Sequence, residues 1–151
     1  MAGGKSKTFK NSILLLEFNN VPIADIGDPA GILGSSVPGN YYIRLFNTDL
    51  VNAASLGTEA SYAGYVAGGI AIPRTAGGFT VTNEVVTNAG QFQFAKCVSG
   101  SETLRYFGIF KDNNTNVESE RLYWGQLPTD YIVSTDKLPT IPAGYLIINE
   151  N

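Results

Sequence analysis

The stretch YAGYVAGGIAIPRTAGGFTVTN, Tyr62 to Asn83, carries the most regular pattern in this chain. Its first half alternates as a β-strand does, a Pro73-Arg74 step follows, and Gly77-Gly78 marks a turn before a second alternating run. It contains no histidine, cysteine or carboxylate. We therefore expect two strands joined through this step and turn, with tyrosines that serve the core and contacts to neighbouring proteins.

Short apolar runs of the same kind recur along the chain, with turn residues between them. We expect strands over 41–46, 62–72, 79–86, 91–98, 103–110 and 121–127, and in the closing YLIIN segment. The connections are too short for the crossover helices of a parallel sheet. The pattern predicts an all-β protein, an antiparallel β-sandwich of jelly-roll-like type with one short N-terminal helix and an extended N-terminal arm.

The first forty residues differ from the rest. TFKNSILLLEFNN, residues 8–20, has apolar side chains near helical spacing and predicts the one helix. Residues 21–40 are rich in Gly and Pro and predict a long loop, which in a compact protein usually has a function. We expect residues 1–40 to form an arm with this helix and loop, and residues 41–151 to form the β-sandwich domain.

Composition bounds the class of protein. Hydrophobic residues make up 44% of the 151 residues, enough for a folded core, and charged residues only 15%. A surface built from Asn, Thr, Ser and Gly suits packing against neighbours. The net charge of -3 and the pI near 4.8 argue against a nucleic-acid partner. The longest apolar run, Ile13 to Leu16, predicts no membrane span, and we expect no export signal.

Catalytic chemistry has little to build on. The chain has no histidine, which excludes Ser-His-Asp and Cys-His nucleophiles, and the single Cys97 is expected to be a small buried apolar residue. A carboxylate pair remains possible, from the glutamates 84, 102, 118 and 120, although solvated charges are the simpler interpretation. We expect no enzyme, no cofactor and no metal. The loop Asp112 to Glu120 resembles the start of a calcium loop but has Val117 where glycine belongs, so a turn is expected.

Two groups of residues are candidates for contact with partners. Lys5, Lys7 and Lys10 concentrate positive charge near the N-terminus, and with Phe9 they could form a docking arm on an acidic surface; a solvated terminus is the alternative. The second group holds aromatic candidates for subunit or receptor contact, for which core packing is the alternative. It comprises Tyr62, Tyr65, Tyr123 and Trp124.

The order of several motifs resembles a family of small tailed-phage virion proteins, usually labelled tail fibre proteins, with relatives among capsid decoration or cement proteins. The matching positions are Leu45 to Asp49, then Tyr62, Gly64 and Tyr65, then Gly77 to Phe79, then Phe94, Ala95, Cys97, Gly100, Ser101, Glu102 and Phe107. The family's histidines are replaced here by Asn47 and Tyr106, and its arginine after Tyr-Gly-Tyr by Ala67 or Gly68.

The resemblance implies a non-enzymatic virion protein made in the host cytoplasm. The leading expectation is a capsid decoration or cement protein, a homotrimer on the capsid exterior that binds the major capsid protein. The alternative is a tail fibre or tail-tip module that recognises a host receptor or glycan and binds other tail proteins. A carboxylate-dependent hydrolase using Glu84 or Glu102 ranks third.

Overall fold

The computed structural model describes residues 4–48, 57–113 and 118–149. β-Sheet accounts for 41% of the structure, the sheets are antiparallel, and one short helix accompanies them, which confirms the all-β class predicted from the sequence. The helix α1 spans Lys7–Asn19 and a 3-10 turn spans Glu118–Glu120. The strands are β1 Asn40–Phe46, β2 Ile70–Pro73, β3 Phe79–Thr82, β4 Val85–Asn88, β5 Phe92–Gln93, β6 Ser101–Phe110, β7 Arg121–Ser134, β8 Thr140–Ile141 and β9 Ile147–Asn149.

These strands form sheets in the orders β2-β1-β6-β7, β3-β4-β9 and β5-β8. The chain divides into two compact units. The first contains the described parts of Met1–Gly39, Pro73–Phe92 and Ile141–Asn151. The second contains those of Asn40–Ile72 and Gln93–Thr140. The division into residues 1–40 and 41–151 stays a prediction.

The first unit has an aromatic core. Leu14 and Phe18 are the buried residues of α1. The ring of Phe18 meets Phe79 of β3 edge-on at 5.1 Å between centroids, and Phe79 meets Phe92 in the same way at 5.9 Å. Edge-to-face pairs of this kind add stability beyond the area they bury. The apolar face of α1 is therefore fixed against the β3–β4 hairpin.

Asn88 fastens the C-terminal segment to this unit. The residue is buried, and its side-chain amide donates to the carbonyls of Gly90 and Pro142 at 2.7 and 2.8 Å. Its side-chain oxygen accepts from the backbone N–H of Leu146 at 2.9 Å. With these partners, both the nitrogen and the oxygen of the buried side-chain amide are hydrogen-bonded. It holds in place the chain that enters β9.

The second unit is built around the pairing of β1 with β6 and of β6 with β7. Two glycines in these strands give room to aromatic rings. A Cβ on Gly108 would lie 2.6 Å from the Phe110 ring, and a Cβ on Gly125 would lie 2.7 Å from the Phe107 ring. Glycine in a strand interior often marks such a close approach.

A buried charge also belongs to this unit. Arg44 is 1% exposed, its guanidinium lies 4.2 Å over the Phe110 ring, and it donates to the carbonyl of Asp112 at 2.6 Å. Glu59 approaches it at 3.5 Å and accepts from the Tyr65 hydroxyl at 3.0 Å. Buried charges occur when they are paired and hydrogen-bonded in this way. The network ties the chain around Glu59 and Tyr65 to β1.

Several elements predicted from the sequence are confirmed, with ends that differ by one or two residues, and among them is the helix expected over 8–20. Strands were predicted over 41–46 and 103–110 and in the closing segment, and β1, β6 and β9 lie there. The Pro73-Arg74 step and the Gly77-Gly78 turn do connect two strands, β2 and β3. These two strands belong to different sheets.

The strand predicted over 62–72 is wrong for most of its length, because the strand there is Ile70–Pro73 and Ala63 makes only an isolated bridge to Ser99. Gly64, Gly68 and Gly69 all have positive φ, which breaks an extended chain. A Cβ on Gly69 would collide with the carbonyl oxygen of Ile43, so the backbone packs there more closely than any side chain would allow.

Three other predicted strands need correction. The segment 79–86 is a hairpin, β3 and β4, whose turn residues Asn83 and Glu84 both have positive φ. The segment 91–98 forms a strand only at Phe92–Gln93, and Phe94 and Cys97 bind the backbone of Pro139 and Lys137 instead. The strand predicted over 121–127 continues to Ser134.

Candidate docking surface

The loop that follows α1 is held in one conformation at its start by Asn20. This residue ends the helix in the left-handed conformation, with φ 58. Its side-chain amide donates to the carbonyl of Ser35 at 2.8 Å, and its side-chain oxygen accepts from the N–H of Ser35 at 2.6 Å. Asparagine tolerates left-handed φ better than most residues, which suits it to this position.

Arg74 holds the same loop from the other side. Its Nε and Nη2 donate to the last carbonyls of α1, those of Glu17 and Leu16, at 2.7 and 3.1 Å. Its Nη1 donates to the carbonyl of Pro38 at 3.0 Å and to the Ser35 hydroxyl at 3.3 Å. A cation at a helix C-terminus is also favoured by the helix dipole. One guanidinium therefore links the helix end to both Ser35 and Pro38.

The loop has internal structure as well. Ile23 and Ile32 exchange two backbone hydrogen bonds, at 2.9 and 2.8 Å. Asp28 accepts from the N–H groups of Ala30 and Gly31, which forms a turn between them. A Cβ on Gly31 would collide with the carbonyl oxygen of Ile23, so only glycine allows this crossing.

The fixed loop exposes aliphatic side chains. Leu33 is 67% exposed and Val37 is 72% exposed. The same loop also exposes Val21, Ile26 and Ile32. Its charged residues are Asp25 and Asp28, and it has no lysine or arginine. We call residues 21–39 the docking loop, because exposed apolar side chains on an ordered loop are typical of a protein interaction site.

The predicted basic arm lies next to α1 and within it. Ser6 caps the helix by accepting from the N–H of Phe9 at 3.2 Å. Lys7 is the first helical residue, and Phe9 and Lys10 follow in the first turn, whereas Lys5 precedes the cap. The first turn contains Lys7 and Lys10 and no acidic residue, so no carboxylate there balances the positive end of the helix dipole. Positive charge is thus concentrated at this end of α1.

The aromatic candidates fall into two groups. Tyr62 is 6% exposed and donates to the carbonyl of Ala95 at 2.8 Å. Burial raises the pKa of Tyr62 to about 12, and burial together with the nearby Glu59 carboxylate raises the pKa of Tyr65 further. Tyr123 is partly buried on β7, whereas Trp124 of the same strand is 44% exposed.

Trp124 belongs to a long strand at the end of its sheet. Among the described residues β7 pairs with β6 alone, and its side chains Leu122, Tyr131 and Ile132 are exposed. The pairing register shifts between Leu104 and Tyr106 of β6. An edge strand with exposed apolar side chains is a template for pairing with another chain. We call Arg121–Ser134 the β7 edge.

Glu102, one of the glutamates considered for catalysis, is fully engaged by its own chain. It accepts from the Asn47 side-chain amide at 2.6 Å and from the N–H groups of Ser61 and Tyr62 at 2.8 and 2.7 Å. A carboxylate that accepts three hydrogen bonds from its own chain stabilises the fold. Glu120 lies 3.8 Å from Lys111, and residues 114–117 of the Asp112–Glu120 loop, where a turn is expected, lie outside the described residues.

Glu84 differs from Glu102. It adopts φ 66 as the second turn residue of the β3–β4 hairpin, and its Oε1 atom is buried without a hydrogen-bond partner in the described part of the chain. It lies beside the N-terminal half of α1, since its N–H points to the Asn11 side-chain oxygen at 3.4 Å. The sequence predicted neither this strain nor this position.

Within the described ranges no helix has the length and apolar character needed to cross a bilayer. Nor do these residues bring three or more His, Cys, Asp or Glu side chains together where a metal ion could bind. Comparison with protein-family models and with curated proteins finds no match to this chain.

Proposed function

We propose that this chain is a non-enzymatic structural protein of a phage virion, a decoration or cement protein that binds and stabilises the assembled head. The observation that carries the proposal is the docking loop, whose aliphatic side chains are exposed while Asn20 and Arg74 hold its backbone. A loop ordered before binding loses less conformational entropy on binding. More of the contact energy of the loop is then available for affinity.

The proposed mechanism is binding alone. A protein that binds the assembled shell and not the free subunits stabilises the shell by mass action. Leu33 and Val37 are the principal contacts to the major capsid protein in this proposal. The lysines at the start of α1, with Phe9, add attraction to an acidic region of the shell, which raises the rate of association more than the affinity.

The oligomer proposed is a homotrimer, and the β7 edge is the surface that would join its subunits. The exposed Trp124 supports this assignment, since tryptophan is enriched at subunit contacts. For the body of the protein we propose the antiparallel, jelly-roll-like β-sandwich expected from the sequence; the antiparallel pairing of its sheets supports it.

The test is co-sedimentation with purified heads of the phage that carries this protein. We expect Leu33→Ser with Val37→Ser to reduce binding at least tenfold and leave the melting temperature unchanged, because both side chains are already exposed. Ile147→Ser is the matched control, since Ile147 is an exposed aliphatic residue of β9. Full binding by the double variant would contradict the proposal.

The position of the protein in the virion separates the two phage functions. Copies arranged on the head surface, in groups related by a threefold axis, would agree with a decoration protein. Five or six copies at the end of the tail would instead favour the receptor-binding module, and the docking loop would then bind another tail protein.

A further inference from the structure

A polar groove runs between the start of α1 and the β3–β4 hairpin. Its volume is about 720 Å³. The residues that line it are Lys7, Thr8, Asn11, Ser12, Val81, Thr82, Asn83 and Glu84. All of them except Val81 carry a polar side chain. All belong to the first compact unit, so one rigid element, the helix, faces another, the hairpin.

Glu84 breaks two local rules in this groove. A two-residue turn with positive φ at both positions is ordinarily Asn-Gly, and here glutamate stands where glycine is favoured. A left-handed φ is unfavourable for a residue with a side chain, and a buried carboxylate oxygen without a donor is unfavourable as well. Violations of this kind concentrate at functional sites.

The charges of the groove indicate what it binds. Lys7 and the positive end of the α1 dipole lie on one wall, and the Glu84 carboxylate lies on the other. The positive charge at Lys7 and the helix end disfavours binding of a cation, and the negative charge of Glu84 disfavours binding of an anion. A neutral ligand whose groups both donate and accept hydrogen bonds suits both walls.

Hydroxyl groups have this property, because each donates one hydrogen bond and accepts two. Glu84, Lys7 and Asn11 all line the groove, so a hydroxyl bound there can donate to the Glu84 carboxylate and accept from Lys7 or from the Asn11 amide. Ser12, which also lines the groove, donates its hydroxyl hydrogen to the carbonyl of Thr8 at 3.0 Å, so its oxygen can serve only as an acceptor for a ligand.

We propose that this groove binds an uncharged carbohydrate, with Glu84 as the principal hydrogen-bond acceptor and Lys7 and Asn11 as donors. Hydrogen bonds from sugar hydroxyls to the Glu84 carboxylate offset the cost of its left-handed φ. This site goes beyond shell binding, and it uses a different surface from the docking loop.

The experiment is a titration of the ¹⁵N-labelled full chain with three uncharged trisaccharides: maltotriose, chitotriose and mannotriose. We expect saturable shifts for at least one of them, confined to the amides of residues 81–84 and to the side chain of Asn11. Glu84→Gln should weaken this binding at least tenfold. Glu17→Gln, at the far end of the same helix, is the matched control and should leave it unchanged.

A second variant keeps the test valid if Glu84→Gln is poorly folded. Glu84→Gly relieves both the left-handed strain and the buried oxygen, so it should raise the melting temperature by about 2–4 °C while it abolishes binding. No shift with any of the three sugars would overturn the proposal. So would binding that survives both variants, or shifts that lie outside the groove. Shell binding by the docking loop would be unaffected by either result.

Discussion

Asn20 and Ser35 exchange two hydrogen bonds, side chain to backbone, across fifteen residues of chain. The asparagine side chain thus supplies the donor and acceptor that a neighbouring strand would supply in a sheet. We predict that Asn20→Gly, which keeps the left-handed backbone but loses both bonds, lowers the free energy of unfolding by about 1–2 kcal/mol. Asn20→Ala should lower it by about 1 kcal/mol more, because alanine is strained at φ 58. Urea unfolding measures both, and equal losses would contradict the role of the left-handed backbone.

Arg74 is predicted to be irreplaceable by lysine. A lysine keeps the charge but cannot reach the carbonyls of Glu17, Leu16 and Pro38 together, since the planar fork of arginine is what spans them. Arg74→Lys and Arg74→Ala should each lower the free energy of unfolding by about 2 kcal/mol, and amide hydrogen exchange should rise in the docking loop. Arg105→Ala removes an exposed ion pair with Asp130 and one exposed hydrogen bond to the Asn47 carbonyl, and should cost no more than about 1 kcal/mol. Full stability of Arg74→Lys would contradict the prediction.

The strand glycines are predicted to be packing residues. Gly108→Ala and Gly125→Ala place a methyl group against aromatic rings and should lower the free energy of unfolding by about 1–3 kcal/mol each. Gly90→Ala is the control, because a Cβ there meets nothing within 4 Å, and it should cost nothing. Thermal unfolding of the three variants decides the matter. A neutral Gly108→Ala would mean that the rings move aside at no cost.

Alkaline pH is predicted to unfold the second unit through its buried tyrosines. The pKa of Tyr62 is raised in the folded state to about 12 from 10.0, so its contribution is complete below pH 10 and is lost as the pH rises towards 12. In an absorbance titration, the ionisation of Tyr62 and Tyr65 should extend well above pH 10, and Tyr62→Phe should remove part of the absorbance change there. Tyr62→Phe should reduce the slope of stability against pH between 10 and 12. An unchanged slope would contradict the assignment to Tyr62.

The spacing of apolar residues and the positions of turn residues predicted the parts of the fold whose backbone hydrogen bonds lie within one helix or along a long pair of strands. The helix over 8–20 and the strands over 41–46 and 103–110 are of this kind. The segment 62–69 belongs to the stretch in which the sequence predicts a strand, from its tyrosines and small apolar residues. Its glycines turn the backbone instead, and the Tyr65 hydroxyl donates to Glu59 and accepts from the N–H of Leu45 in β1.

The candidate surface was less predictable from the sequence, because it depends on charged side chains that make hydrogen bonds within the chain to residues distant in sequence. Arg74 was identified only as part of a turn, and its contacts with the helix end span 57 residues. Glu102 and Glu84 carried the same sequence signal, an isolated glutamate near a turn. One is saturated by three donors and the other has an oxygen without a donor, and that difference arises from tertiary packing alone.

The attachment of the docking loop is separate from the side chains it exposes. Asn20, Ser35 and Arg74 fix the backbone through amide, guanidinium and main-chain atoms, and none of these bonds involves Leu33 or Val37. The exposed side chains at positions 33 and 37 can therefore change without disturbing the backbone of the docking loop. Binding of a new partner can therefore evolve through substitutions at the exposed positions, while Asn20, Ser35 and Arg74 stay unchanged. For the same reason, the exposed positions of the docking loop could be redesigned to bind other proteins.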